Sequence, residues 1–259
     1  MNILDKIIEY KRTEVDGRKA VTSFSMLERS PLFIRQPLSL KKYLTDPGKT
    51  GIIAEFKRRS PSKGVINDQV SVQQVTEGYT RSGASCLSIL TDNHFFGGSS
   101  EDLQAARHNE IPILRKDFMI DEYQIVEARS IGADVILLIA ACLTPAEVRR
   151  LAVFAKSLGL EALLEIHNEE ELAHICDETE LVGVNNRDLK TFTVDVNRSI
   201  GLSERIPADK ITISESGISK AGTILQLKEF GFKGFLIGEN FMKEKDPGAA
   251  FEKFVQELR

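Results

Sequence analysis

From Gly51 onward the chain alternates between short apolar runs and amphipathic stretches, and this rhythm limits the fold more than any single motif. Apolar runs fall at 51–56, 86–90, 111–114, 135–139, 162–166, 181–184, 211–213 and 234–237. They are nearly continuous, as parallel strands covered on both faces should be. Stretches of helical character follow them at 72–81, 99–107, 122–130, 145–158, 169–176, 195–202, 219–229 and 249–258. Gly83, Gly132, Gly159 and Gly231 come just before the next strand, where a helix ends most easily in a left-handed residue. Thr144-Pro145 and Ser219 are good helix starts. Strand–helix alternation predicts an α/β protein with a parallel sheet, and eight repeats close it into a (β/α)8 TIM barrel. An open doubly wound sheet is the alternative, but no G-x-G-x-x-G fingerprint follows the first strand.

Residues 1–47 read differently. Ile3, Leu4, Ile7 and Ile8 have helical spacing among many charges, and Asp46-Pro47-Gly48 breaks the chain. We expect a helical N-terminal extension packed on the barrel, with 48–259 as the catalytic domain. The net charge of −4 is mixed along the chain, so neither a nucleic-acid nor a membrane surface is expected. Met1-Asn2-Ile3 carries no signal-peptide pattern, and no apolar run nears the roughly 18 residues of a membrane span. A cytoplasmic protein is therefore expected, with Cys86, Cys142 and Cys176 as buried free thiols. His94, His108, His167 and His174 lack metal-ligand spacing and are expected at the surface or in loops.

In such a barrel the site forms where strands end. Glu55 and Lys57 stand at i and i+2, so the first strand turns an acid and an amine to one face. A basic turn, Arg58-Arg59-Ser60-Pro61-Ser62-Lys63-Gly64, follows. Later strands end in Asp92-Asn93-His94-Phe95-Phe96, Arg115-Lys116-Asp117-Phe118, Glu165, Asn185-Asn186-Arg187-Asp188-Leu189, Ser214-Glu215-Ser216-Gly217 and Gly238-Glu239. Carboxylates and amines thus converge on one rim. The glycines after strands seven and eight suit an anion held by backbone N–H groups, with Arg187 adding a cation.

Five segments resemble the indole-3-glycerol-phosphate synthase family of tryptophan biosynthesis. They are Ile53-Ala54-Glu55-Phe56-Lys57-Arg58-Arg59-Ser60-Pro61-Ser62-Lys63-Gly64, Ile113-Leu114-Arg115-Lys116-Asp117-Phe118, Leu164-Glu165-Ile166-His167, Gly183-Val184-Asn185-Asn186-Arg187-Asp188-Leu189 and Glu215-Ser216-Gly217-Ile218. The likeness covers nearly the whole chain. Asn240 departs from it, standing where the family often has a small residue.

The resemblance implies a carboxy-lyase without metal or organic cofactor. It would close, decarboxylate and dehydrate 1-(2-carboxyphenylamino)-1-deoxyribulose 5-phosphate to indole-3-glycerol phosphate. Lys116 is the candidate general acid, its pKa brought down by neighbouring cations. Glu165 is the candidate base, with Lys57 and Glu55 as partners or rivals, and Asn185 orients by hydrogen bonding. Ser216, also placed in the catalytic set, joins Gly217, Gly238, Glu239 and Arg187 around phosphate. Ser60, Phe95, Phe118, Leu137 and Leu189 would surround the anthranilate ring. The partner is a phosphorylated small molecule, and a lone barrel suits a monomer. A sister phosphosugar barrel, phosphoribosylanthranilate isomerase, relies on a Cys–Asp pair, and strand one here has no Cys. A catalytically dead barrel would have gaps at Lys116 or Glu165, and both are present.

Overall fold

The computed structural model describes residues 2–188 and 191–258. Eight parallel strands close a barrel in sequence order: β1 (Ile52–Phe56), β2 (Cys86–Leu90), β3 (Ile113–Lys116), β4 (Val135–Ile139), β5 (Glu161–Ile166), β6 (Leu181–Asn185), β7 (Ile211–Glu215) and β8 (Gly234–Ile237). Closure is made by β1, which pairs β2 with Glu55 level with Ser88, and β8 with Ala54 level with Ile237. The third strand runs two residues later than the apolar run suggested. Pro112 cannot donate to a ladder, whereas Arg115 and Lys116 pair with Ile89 and Leu90.

Side-chain parity organises the core. Ile52, Ala54 and Phe56 face out to the helices, in one cluster with Leu164, Ile166, Val182 and Val184. Ile53, Leu114, Leu137, Leu163, Ile213 and Leu236 fill the barrel, and Leu40 and Leu44 of a short helix (Leu40–Thr45) plug its amino-terminal end. Because strand neighbours alternate, Glu55, Lys116, Glu165, Asn185 and Glu215 all point inward at the carboxyl ends.

The helix α1 (Ile3–Val21) starts with a capping box between Asn2 and Asp5 and buries Ile7, Lys11 and Val15, one face at i, i+4, i+8. The helical repeat departs from expectation after β5, where residues 170–174 form only a 3-10 turn. After β1 the basic turn is a short hairpin, Arg59–Ser60 against Gly64–Val65. Two arginines pin it to the segment after β2: Arg58 donates to Asp102 of the following helix (Ser100–Ala106), and Arg59 Nη2 donates to the loop carbonyls of Asn93 (2.7 Å) and His94 (2.6 Å). All three cysteines are free, with Cys142 only partly buried, contrary to expectation. His167 lies in the loop just past β5, as the expectation allowed, but it is buried there. Among the described residues no helix is long and apolar enough to cross a membrane.

Candidate active site

Lys116 is the centre of the barrel mouth. Its Nζ lies 2.9 Å from Glu165 Oε2 and 2.7 Å from Glu215 Oε2. Asn185 Nδ2 donates to the other oxygen of Glu165 at 3.1 Å. Asn185 is itself held by the backbone N–H of Arg187, which donates to its Oδ1 at 3.0 Å. Lys57 pairs with Glu55 at 2.7 Å on the adjoining wall. Lys57, Lys116 and Glu165 therefore open onto one cavity, together with Glu55, Asn185 and Glu215.

Glycines make room for these carboxylates. A Cβ on Gly183 would collide with the Glu215 carboxylate, and one on Gly238 would lie 2.6 Å from Glu55 Oε1.

Burial opposes charge on Lys116, but Glu165 and Glu215 outweigh it and raise the pKa. The expected cationic neighbours are absent among the described contacts; carboxylates stand there instead, and Lys116 is an ammonium at neutral pH. Burial would also push Glu165 up, yet Lys116 and His167 hold it well below the usual carboxylate range. Glu215 has the shorter contact to Lys116 but lies deeper, with 1% side-chain exposure against 5% for Glu165. Burial, with the charges of Glu165 and Glu55, wins there and pushes Glu215 up to about 7. One ammonium thus joins a fixed carboxylate to a carboxyl that titrates near neutrality, the separation acid–base chemistry requires.

Two ends of the cavity differ. At one, Phe118, Leu137 and Ser60 line the wall, joined by Phe96, Ile139 and the α1 residues Ile3, Leu4 and Ile7. Phe95 is not part of this wall. Asp92 Oδ1 accepts the N–H groups of both Phe95 (2.8 Å) and Phe96 (3.2 Å), and in the resulting turn Phe95 meets Tyr10 edge-on at 5.8 Å. Leu189 lies outside the described residues.

At the other end the cavity continues into a groove lined by Ser216, Gly217, Gly238 and Glu239. Ser216 (φ 69°) and Gly217 (φ 78°) are consecutive left-handed residues, strain of a kind that concentrates at ligand-binding turns. Val194 packs where a Gly217 side chain would go. The Glu239 carboxylate does not leave the cations open: it pairs with Arg187 Nη2 and Lys63 Nζ, each at 3.3 Å.

Sequence reasoning placed Glu215 at a strand end without putting it in the site, and overlooked His167, Phe96 and α1. For Glu215 the signal was available, since it follows inward-facing Ile213 by two.

A closed parallel barrel with ammonium–carboxylate chemistry at its carboxyl-terminal mouth, beside a glycine-turned groove flanked by cations, defines a barrel enzyme for small anionic substrates. The chain belongs to the indole-3-glycerol phosphate synthase family, whose family model matches residues 4–254. The protein of that name from Bacteroides thetaiotaomicron is 46% identical over 259 residues, covering 100% of this chain and 99% of the relative. The one from Bordetella pertussis is 40% identical over 259 residues, with 98% and 99% covered. Among solved structures, a 3-hexulose-6-phosphate synthase from Salmonella typhimurium matches with TM-score 0.63 at 11% identity, covering 80% of this chain and 98% of that one. A tryptophan synthase complex from Pyrococcus furiosus matches with TM-score 0.60 at 17% identity, covering 81% and 98%. These two likenesses concern the fold alone.

Proposed function

We propose that this barrel converts 1-(2-carboxyphenylamino)-1-deoxyribulose 5-phosphate to indole-3-glycerol phosphate, CO2 and water. The observation that carries the reading is the Lys116 ammonium between Glu165 and Glu215, at the junction of an apolar cavity and a cation-flanked groove. The anthranilate ring enters the apolar end, against Phe118, Leu137 and Phe96. The phosphate takes the groove, near Ser216, Gly217, Gly238 and Arg187. Lys57 meets the ring carboxylate.

The ring carbon bearing the carboxylate attacks the ketone carbon. Lys116 gives a proton to the ketone oxygen, which becomes a hydroxyl. The C–CO2 bond breaks, and its electron pair restores the aromatic ring. Dehydration follows: Lys116, reprotonated by Glu215 at 2.7 Å, gives a second proton to the hydroxyl, which leaves as water, while Glu165 takes a proton from the methylene carbon beside the ring nitrogen and that C–H electron pair becomes the new ring double bond. Holding both reacting carbons in one pocket supplies several kcal/mol of the lowered barrier, on the order of the gains known for oriented reactants. A lone barrel suits a monomer, and three free thiols suit a reducing cytoplasm.

The test is direct. Purified protein is mixed with the carboxyphenylamino substrate, and indole fluorescence and CO2 are followed. Equimolar indole-3-glycerol phosphate and CO2 are expected; intact substrate after prolonged incubation with folded protein overturns the reading.

A further inference from the structure

His167 does not line the cavity, yet it sits directly behind the residue proposed as base. It follows Glu165 by two, just past the end of β5, and its side chain is only 6% exposed. Nε2 lies 3.3 Å from Glu165 Oε1, and Nδ1 lies 3.2 Å from Glu171 Oε2. The same Glu171 oxygen accepts the His167 backbone N–H at 2.7 Å, and Asn168 Nδ2 donates to its other oxygen at 3.1 Å. Glu171 is thereby locked in place on the 3-10 turn.

An imidazole flanked by a carboxylate at each nitrogen is satisfied only when both nitrogens carry protons. Either neutral tautomer would leave an unprotonated nitrogen beside a carboxylate; Nδ1 hydrogen-bonds Glu171, whereas Nε2 meets Glu165 as an ion pair without hydrogen-bond geometry. We propose that His167 is a positioning residue: a buried imidazolium, oriented by Glu171, that keeps Glu165 ionised and aimed at Lys116. The result is a line of alternating charge, Glu171, His167, Glu165, Lys116 and Glu215, running from the turn to the centre of the site.

Other titratable groups around this line do not compete for the role. Cys142, on the turn after β4, feels both Glu165 and Glu171, and burial with those charges raises its pKa, so it stays a neutral thiol. Asp5 of α1 adds a negative charge on that side. Burial alone would lower the His167 pKa, but Glu165 and Glu171 bring it up to about 9.

The inference deepens the synthase reading and rests on it for its kinetic arm. In the wild type without substrate, 15N NMR of the histidine rings is expected to find both His167 nitrogens protonated at pH 7.5. A neutral ring at that pH overturns the proposal, whatever the protein turns over. In His167→Gln, kcat at neutral pH is expected to fall about tenfold, with KM within about twofold and the acidic limb of kcat moved up by about one pH unit. An unmoved acidic limb also overturns it. Glu171→Gln should lower the NMR titration point of His167; an unchanged point removes Glu171 as orienter, and this readout serves if His167→Gln does not fold. Absence of product with wild-type protein would remove the synthase reading and leave the NMR result standing.

Discussion

Lys11 Nζ, on the buried face of α1, lies 2.9 Å from the carboxylate of Asp117, and neither side chain is exposed. The same amine reaches Asp92 at 2.8 Å and Glu14 at 2.5 Å. Asp117 also receives Arg115 and the Thr91 hydroxyl. Since Asp117 follows Lys116 directly, this pair ties the helix that roofs the apolar end of the cavity to the strand carrying the central amine.

Removing Lys11 leaves two buried carboxylates short of a cation, and that imbalance costs more than the lost contact itself. Lys11→Met should destabilise the protein by about 3 kcal/mol. The change also has a pH signature. Burial pushes Asp117 up, but Lys11 and Arg115 outweigh it and hold its pKa below the usual range. A depressed carboxylate contributes stability that is full above its unfolded pKa, about 3.9, and is lost as pH falls below it. The wild type should therefore lose stability on acidification below about pH 4, and Lys11→Met should lose less over the same interval. Thermal melts across that range check both; identical melting temperatures for the two proteins would refute the clamp.

Glu215 has the opposite sign. Its pKa is raised to about 7, so between the ordinary carboxylate value and neutrality the folded state binds more protons than the unfolded one. Its contribution to stability falls as pH rises through that window. Glu215→Gln, which stays neutral, should flatten that decline and raise Tm at pH 8 relative to wild type. Activity should fall by about a hundredfold, because a proton-carrying group beside Lys116 has gone. A variant with wild-type kcat would exclude Glu215 from the proton transfers.

What the sequence disclosed of this site follows from period two. Glu55, Lys57, Lys116 and Glu165 lie in or just after strands, where parity with apolar neighbours decides which way a side chain points. Ile53 faces in, so Glu55 does; Leu163 faces in, so Glu165 does. The loops offer no such rule. Whether Phe95 or Phe96 enters the cavity is decided by an Asp92 turn that no periodicity announces. Lys11 interrupts an otherwise apolar helix face, and its partners Asp92 and Asp117 are remote in sequence. Long-range charge pairing of this kind emerges only once the barrel brings β2 and β3 under α1.

Lys116→Met tests the proposed proton donor. Methionine keeps most of the volume and removes the ammonium, leaving Glu165 and Glu215 without their shared cation. Turnover should fall by about three orders of magnitude, while substrate still binds, since the phosphate groove and the aromatic wall are untouched. Stopped-flow binding and single-turnover assays separate the two effects. Wild-type-like kcat would overturn the assignment, whereas loss of binding together with turnover would move Lys116 from proton donor to substrate ligand.

Glu239 and Arg187 make a paired prediction in which the signs differ. Arg187 offers the groove a cation, so Arg187→Ala should raise KM more than it lowers kcat, and an unchanged KM would take Arg187 out of the phosphate set. Glu239 was grouped with it from sequence, but its carboxylate repels a phosphate and already occupies both Arg187 and Lys63. Substrate phosphate has to displace that carboxylate. Partly exposed ion pairs are worth little, up to about 1 kcal/mol, so Glu239→Gln should lower KM by only about two- to fivefold and strengthen inhibition by inorganic phosphate to a similar degree. Steady-state kinetics with phosphate as competitor reads both. A higher KM in Glu239→Gln would mean that the carboxylate holds the groove in its binding shape rather than occupying it.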